Sequence, residues 1–303
     1  MTIFETDSRH AFTSGVLVIA ACVIAALGLA AGVVLLPVSL LSFVLGTAAL
    51  ALLVLAAWLG YQLYGLTHIT YAVDRNAFVI RIGPVRHIVP MDSVVRLARG
   101  NGLKDVKVSR PPLSGWWVGK GFQSEVGPIQ FYATAPTETQ YVLITERGSF
   151  GLSPYDAELF EQTFNAQMAL GATQKVAASS LAPLFLDQQF WSDSAAKVLL
   201  ILGLAINLLG FGISAARYPV VPSQIVLHFN AAGIADRFGS TAQIFAPPAI
   251  ALLLFAVNLI IGFVAHRRGE PLAGYLVWGG NVVVQVAFLV AVITIGFTSG
   301  LTS

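Results

Sequence analysis

AFTSGVLVIAACVIAALGLAAGVVLLPVSLLSFVLGTAALALLVLAAWLGYQLYGLT, residues 11–67, holds no Asp, Glu, Lys, Arg or His. A hydrocarbon core about 30 Å thick is crossed by about 20 apolar residues, so this run is long enough for two spans. Pro37 divides it. The helices expected on either side cover 14–36 and 39–66, a tight hairpin with Trp58, Tyr61 and Tyr64 as an aromatic belt where the second leaves the bilayer. The first run is too long for the core of a cleaved signal peptide, Glu5 and Asp7 precede it, and a second span follows at once.

The rest of the chain continues this pattern. Of its 303 residues 56% are hydrophobic and 11% charged, against about 25% charged in an ordinary soluble domain. Residues 239–265 and 271–303 also lack charge, and with the run at 195–216 they give three more spans, about 195–216, 244–265 and 272–297. The expected division is 1–66, an N-terminal tail and span hairpin; 67–175, a polar domain; 176–194, an interfacial linker containing Leu184-Phe185-Leu186 and Phe190-Trp191; and 195–303, a three-span region with an outer loop at 217–243. Net charge is +2, which leaves no electrostatic footprint for nucleic acid. Cys22 is the only cysteine, so an intramolecular disulfide is excluded. The clearest short basic loop, His266-Arg267-Arg268, places the N-terminus and 67–175 in the cytoplasm, with loop 217–243 and the C-terminus outside.

The polar domain reads as strands followed by a helix. Short runs rich in β-branched and aromatic residues occupy 68–74, 77–82, 85–89, 93–98, 128–134, 140–145 and 149–152, with turn signals at Arg75-Asn76 and Gly83-Pro84. Ser153-Pro154-Tyr155-Asp156 announces a helix, Ser as N-cap and Pro at its first position, with Leu159, Phe160, Phe164 and Met168 recurring at helical spacing. Seven strands and one amphipathic helix give a small barrel or a pair of packed sheets plugged by that helix.

YAVDRNAFVIRIGPVRHIVPMDSVVRL (71–97) and GPIQFYATAPTETQYVLITERGSFGLSPYDAELFEQTF (127–164) resemble a bacterial pleckstrin-homology-like (PH-like) domain. The markers are the Gly83-Pro84 turn, the Pro90-Met91-Asp92 step, the Tyr132-Ala133-Thr134 strand end and the Ser153-Pro154-x-Asp156-x-x-x-Phe160 helix entry. The resemblance implies a seven-stranded, strongly bent antiparallel barrel capped by a C-terminal helix, inserted here in a membrane bundle of five spans. It also points to a bacterial-type cytoplasmic (inner) membrane. A second resemblance covers Pro222-x-x-Ile225-x-x-His228-Phe229-Asn230-x-x-Gly233-x-x-Asp236-x-x-Gly239-Ser240. It is similar to a segment of small multi-span bacterial membrane proteins that include immunity and signalling proteins, although many of those carry a Lys where this chain has Thr241.

Three groups of residues are candidate sites. In the outer loop, His228, Asn230, Gly233, Asp236 and Arg237 make either a well-formed turn or a recognition epitope; His228 and Asp236 are too few ligands for a metal. On the polar domain, Arg75, Arg81 and Arg86 with Trp116, Trp117 and Lys120 could meet lipid headgroups or a partner. The tryptophans lie in 110–122, read as a loop that either rests in the headgroup layer or closes the open end of the barrel. Within the spans, Asn281 and Gln285 share one helix face, where hydrogen bonds between helices account for them. No HExxH, paired intramembrane Asp or Ser/Lys arrangement occurs, and no cofactor is expected. The expected function is non-catalytic: a membrane protein binding a protein, a second copy of itself or lipid headgroups through its PH-like domain. The alternative is an immunity- or receptor-like protein that recognises a toxin or signal through loop 220–241.

Overall fold

The computed structural model describes residues 1–102, 105–108, 115–146, 148–181, 193–230 and 235–298. They form two compact units, residues 1–24 with 53–185 and residues 25–52 with 186–303. The chain opens with a strand, β1 (Thr2–Glu5), and two long helices, α1 (Arg9–Leu35) and α2 (Leu40–Thr67). Ile24, Val34, Leu50 and Val54 are exposed on them, the pattern of helices whose solvent is lipid rather than water. After Pro37 the second helix starts on a reciprocal cap: the Ser42 N–H donates to Ser39 Oγ at 3.3 Å and the Ser39 N–H to Ser42 Oγ at 2.9 Å.

The first unit continues with β2 (Ile69–Val73), β3 (Ala77–Ile82), β4 (Val85–Pro90), β5 (Val94–Arg99), β6 (Lys107–Val108), β7 (Trp117–Gln123), β8 (Gly127–Ala133), β9 (Tyr141–Thr145), β10 (Gly148–Leu152), the helix α3 (Ala157–Leu170) and β11 (Ser179–Leu181). Of the two expected arrangements the described residues form the pair of sheets, β1-β2-β3-β4-β11 and β5-β9-β10-β8-β7-β6, and no closed barrel. Nor is the pairing wholly antiparallel, since β10 runs parallel to β8 from Ser149↔Ile129 to Leu152↔Tyr132. All seven expected strands form; β1, β6, β7 and β11 are additional. β7 was masked by its composition, because Gly119, Lys120 and Gly121 are poor strand formers. Its Gly121 is required by packing: a Cβ there would lie 2.6 Å from the Phe131 ring, and one on Gly151 of β10 would lie 2.4 Å from it.

The two sheets and α3 share one core, containing Phe4, Tyr71, Phe78, Tyr132, Leu143, Leu152, Phe160 and Phe164. Phe160 and Phe164 are one turn apart on α3 and meet Phe4 and Phe78 edge-on, with ring centroids 5.2 and 6.1 Å apart. Such pairs add about 0.5–1.5 kcal/mol each beyond the area they bury. The helix entry differs from expectation by one turn. Asp156 is the N-cap, its carboxylate accepting the Leu159 N–H at 3.0 Å. Ser153 is instead a buried core residue whose hydroxyl accepts the Thr134 N–H at 2.8 Å.

The second unit holds α4 (Ser194–Arg217), the hairpin strands β12 (Gln224–Phe229) and β13 (Ala235–Ser240), α5 (Ala246–Arg267) and α6 (Pro271–Thr298). With α1 and α2 this makes five helices, among the described residues, long and apolar enough to cross a membrane. Close helix contact uses small residues. At Gly262 of α5 a Cβ would fall 2.2 Å from the Trp278 Nε1 of α6, so the indole lies against bare backbone.

Candidate functional site

The basic and aromatic residues singled out on the polar domain do not converge. Arg75, in the β2–β3 turn, donates from Nε to the Gly171 carbonyl at 2.6 Å and from Nη2 to the Leu170 carbonyl at 2.8 Å. It thereby occupies the carbonyls at the end of α3, a structural task. Trp116 donates from Nε1 to the Ala11 carbonyl at 3.0 Å, and its ring lies over Gly15 of α1, where a Cβ would be 2.7 Å away. The indole is half-buried against the first helix. Trp117 and Lys120 belong to β7, opposite Ala133 and Gln130 of β8, and residues 110–114 lie outside the described residues. Arg81 and Arg86 are the two that meet, directly opposite each other on β3 and β4.

Inside the domain, the Tyr71 hydroxyl donates to the Tyr132 carbonyl at 2.5 Å and accepts the Ser153 N–H at 3.0 Å, joining the two sheets. The Tyr132 hydroxyl meets His87 Nε2 at 2.6 Å. Burial pushes both phenols up and the His87 imidazole down, which favours the neutral forms of the His87–Tyr132 pair. On the surface, Arg99 Nη2 and the Tyr141 hydroxyl donate to Glu161 Oε2 at 2.5 and 2.9 Å, holding that carboxyl below its usual range. The Glu161 contacts fasten α3 to the six-stranded sheet.

The segment 224–240 forms a pair of antiparallel strands, with Gln224↔Ser240 through Val226↔Phe238 in register and an irregularity around His228, which pairs with Arg237. Asn230, Asp236, Arg237 and Phe238 are exposed. Gly233 and the His228 side chain lie outside the described residues. The Thr241 hydroxyl ties the hairpin base to the Pro222 carbonyl at 2.6 Å.

Between the helices of the second unit, Asn281 and Gln285 join a longer chain of amides. Asn207 Nδ2 donates to Gln285 Oε1 and to the Pro248 carbonyl, both at 3.0 Å. Gln285 Nε2 donates to the Ala251 carbonyl at 2.8 Å, and Asn258 Nδ2 reaches Asn281 Oδ1 at 3.4 Å. These side chains link α4, α5 and α6.

A second cluster escaped the sequence reading. Asp193, just before α4, accepts the Ala195 and Ala196 N–H groups on Oδ1 at 2.9 and 3.1 Å. Its Oδ2 receives the Tyr275 hydroxyl, and His266 Nε2 at 2.9 Å. The Tyr275 hydrogen bond, seconded by the Ala196 N–H, His266 and the Ala195 N–H, holds the carboxyl down to about 2 despite its desolvation. Asp193 ahead of an apolar run is an N-cap signal that could have been read; its partners could not, since nothing local pairs it with His266 and Tyr275.

Residues 69–168 match the family model of a bacterial PH domain, and residues 205–252 match that of a domain of unknown function, DUF1648. No curated protein and no solved structure matches the chain. Five apolar helices among the described residues, with a region between the second and third that matches the model of a bacterial PH domain, support a multi-pass membrane protein with a PH-like region.

Proposed function

We propose that the chain is a non-catalytic component of a bacterial cytoplasmic membrane whose PH domain binds a protein partner, as scaffold or sensor. The observation that carries this reading is the pairing of β1 with β2, from Thr2↔Val73 to Glu5↔Thr70. The strand before α1 and the strand after α2 share one sheet, so a span hairpin leaves from and returns to a single domain. A domain held in this way needs no lipid ligand to reach the bilayer, and meets other membrane proteins at high effective concentration. The domain and the His266-Arg267-Arg268 loop are separated by two crossings, and the positive-inside rule puts both in the cytoplasm. The β12–β13 hairpin and the C-terminus are then outside.

The test is purification of the intact protein in mild detergent, beside the variants Val95→Asp and Phe122→Asp at exposed apolar positions of the domain. A protein, or a second copy, recovered in fixed ratio and reduced several-fold by either variant is the expected result. Recovery of the wild-type chain alone, monomeric and folded, would remove the proposal.

A second reading is favoured by the outer hairpin, where Phe238 is 57% exposed beside Asp236 and Arg237 on a two-stranded ribbon. Such a ribbon could present a receptor- or immunity-like epitope for a toxin or signal. If this is the functional surface, Asp236→Ala with Arg237→Ala abolishes the response to that ligand at normal expression while the cytoplasmic complex is untouched.

A further inference from the structure

We propose that the open edge of β1 is a docking groove for an extended, Lys- or Arg-bearing segment of another membrane protein, at the point where that segment leaves the bilayer. β1 lies outside the matched residues 69–168 and adds a strand to their sheet. On the side away from β2, the Glu5 carbonyl accepts the Tyr155 N–H at 2.8 Å. Backbone groups alternate in direction along an antiparallel ladder, so the N–H and carbonyl of Ile3 point the same way as those of Glu5. Pro154 covers the edge at Thr6. The chain then turns into α3, and the Ile3 groups meet no partner among the described residues. An edge left open in this way is a template for another strand. It opens into a cavity of about 500 Å³ between β1 and the entry to α3, lined in part by Ile3, Tyr155 and Leu159, all three exposed. Phe4 marks the α3 side of β1 by its contact with Phe160. Side chains of an added strand alternate, one set on that side with Tyr155 and Leu159, the other beside Ile3 and Glu5.

Charge identifies the occupant. Glu5, Asp7 and Asp156 line the same cavity against one cation, Arg9. None of the three carboxylates makes an ion pair among the described residues. Asp7 and Asp156 each commit one oxygen to a helix start, accepting the Arg9 and Leu159 N–H groups at 3.0 Å, which leaves the other oxygen to a ligand. Three carboxylates repel an anionic lipid surface and attract Lys and Arg. The cavity adjoins the first residue of α1, Arg9, so it lies where the first span enters the bilayer. Membrane proteins carry their excess of Lys and Arg in the cytoplasmic flanks of their spans. Such a flank is already at this depth, has backbone groups to pair with Ile3, and brings the charge that the groove lacks. This inference rests on the reading of the PH domain as a cytoplasmic, partner-binding domain, and adds to it the surface and the chemistry of the partner.

The experiment measures, by fluorescence anisotropy, the binding of a fluorescein-labelled peptide of Arg-Val repeats to the purified full-length protein in an uncharged detergent. Glu5→Gln/Asp7→Asn/Asp156→Asn removes the three charges and keeps the cap acceptors. Glu125→Gln/Glu138→Gln/Glu146→Gln removes as many from exposed positions elsewhere on the domain. Ile3→Pro deletes the outward N–H and spares the β1–β2 ladder, since proline is accepted on a strand edge; Ile3→Ala keeps that N–H. Saturable binding by the wild type is expected, weakened about tenfold in the groove triple variant and about fivefold in Ile3→Pro, and less in Ile3→Ala and in the control triple variant. No saturable binding by the wild type, or equal loss in the two triple variants, overturns the inference. Equal binding by Ile3→Pro and Ile3→Ala overturns the strand addition on which it stands. Should Ile3→Pro fail to fold, the groove triple variant, with its caps intact, decides alone. Failure of the domain reading looks different: in intact membranes, photo-adducts from Val95 or Phe122 with none from Tyr155 overturn the groove and leave a partner-binding domain, whereas absence of adducts from all three removes that reading as well.

Discussion

His266 Nε2 and Asp193 Oδ2 lie 2.9 Å apart across 73 residues of sequence, joining the end of α5 to the start of α4. Tyr275, in the first turns of α6, donates to the same oxygen. One carboxylate thus gathers three helix ends at one end of the bundle, the arrangement expected if α4, α5 and α6 cross alternately up and down.

Replacing Asp193 should therefore loosen the whole bundle. Asp193→Ala removes an N-cap, about 0.5–2 kcal/mol, and leaves the His266 and Tyr275 donors unpaired, about 1–3 kcal/mol more. Asp193→Asn keeps the cap acceptor and should lose less. Thermal unfolding in detergent, followed by tryptophan fluorescence, checks the order wild type, Asn, Ala.

The same carboxyl gives an acid limb to stability. Its pKa is held down to about 2 in the folded chain, against about 3.9 for a free aspartate. A lowered carboxylate contributes stability that is present above the unfolded value and lost as pH falls through the folded one. Wild type should lose its advantage over Asp193→Asn between about pH 4 and pH 2, and a constant difference across that window would contradict the assignment.

Asn207 and Gln285 should be coupled in a double-mutant cycle. Leucine at either position removes their 3.0 Å hydrogen bond. Membrane pairs of this kind average about 0.6 kcal/mol and reach about 1.7. Reversible unfolding in mixed micelles measures the coupling, and a value of zero would show that each amide acts only through its backbone carbonyl.

Gly262→Ala should destabilise by about 1–3 kcal/mol through overpacking, since its Cβ would overlap the Trp278 indole. Gly279→Ala, on α6 with open space around it, should be neutral or slightly stabilising. Comparing their melting temperatures tests the packing of α5 on α6.

Sequence patterning carried the apolar helices and the seven main strands, because both depend on local periodicity. It failed where long-range contact decides. Thr2–Glu5 is a strand only because β2 returns beside it after two helices, and β7 is a strand whose glycines are explained only by the Phe131 ring. The same holds for the sites. Asn281 and Gln285 were visible as one face of a helix, but Asn207 joins them across α4, and Arg75 left the basic set because α3 ends beside it.

The most direct measurement is site-specific photo-cross-linking in intact membranes from Val95, Phe122, Tyr155 and Leu170, four exposed positions spread over the PH domain. A discrete protein adduct from at least one of them, a second copy of the chain included, is expected, with none from Ile24 on α1. Absence of any protein adduct at all four, with the chain expressed and inserted normally, would contradict a partner-binding PH domain.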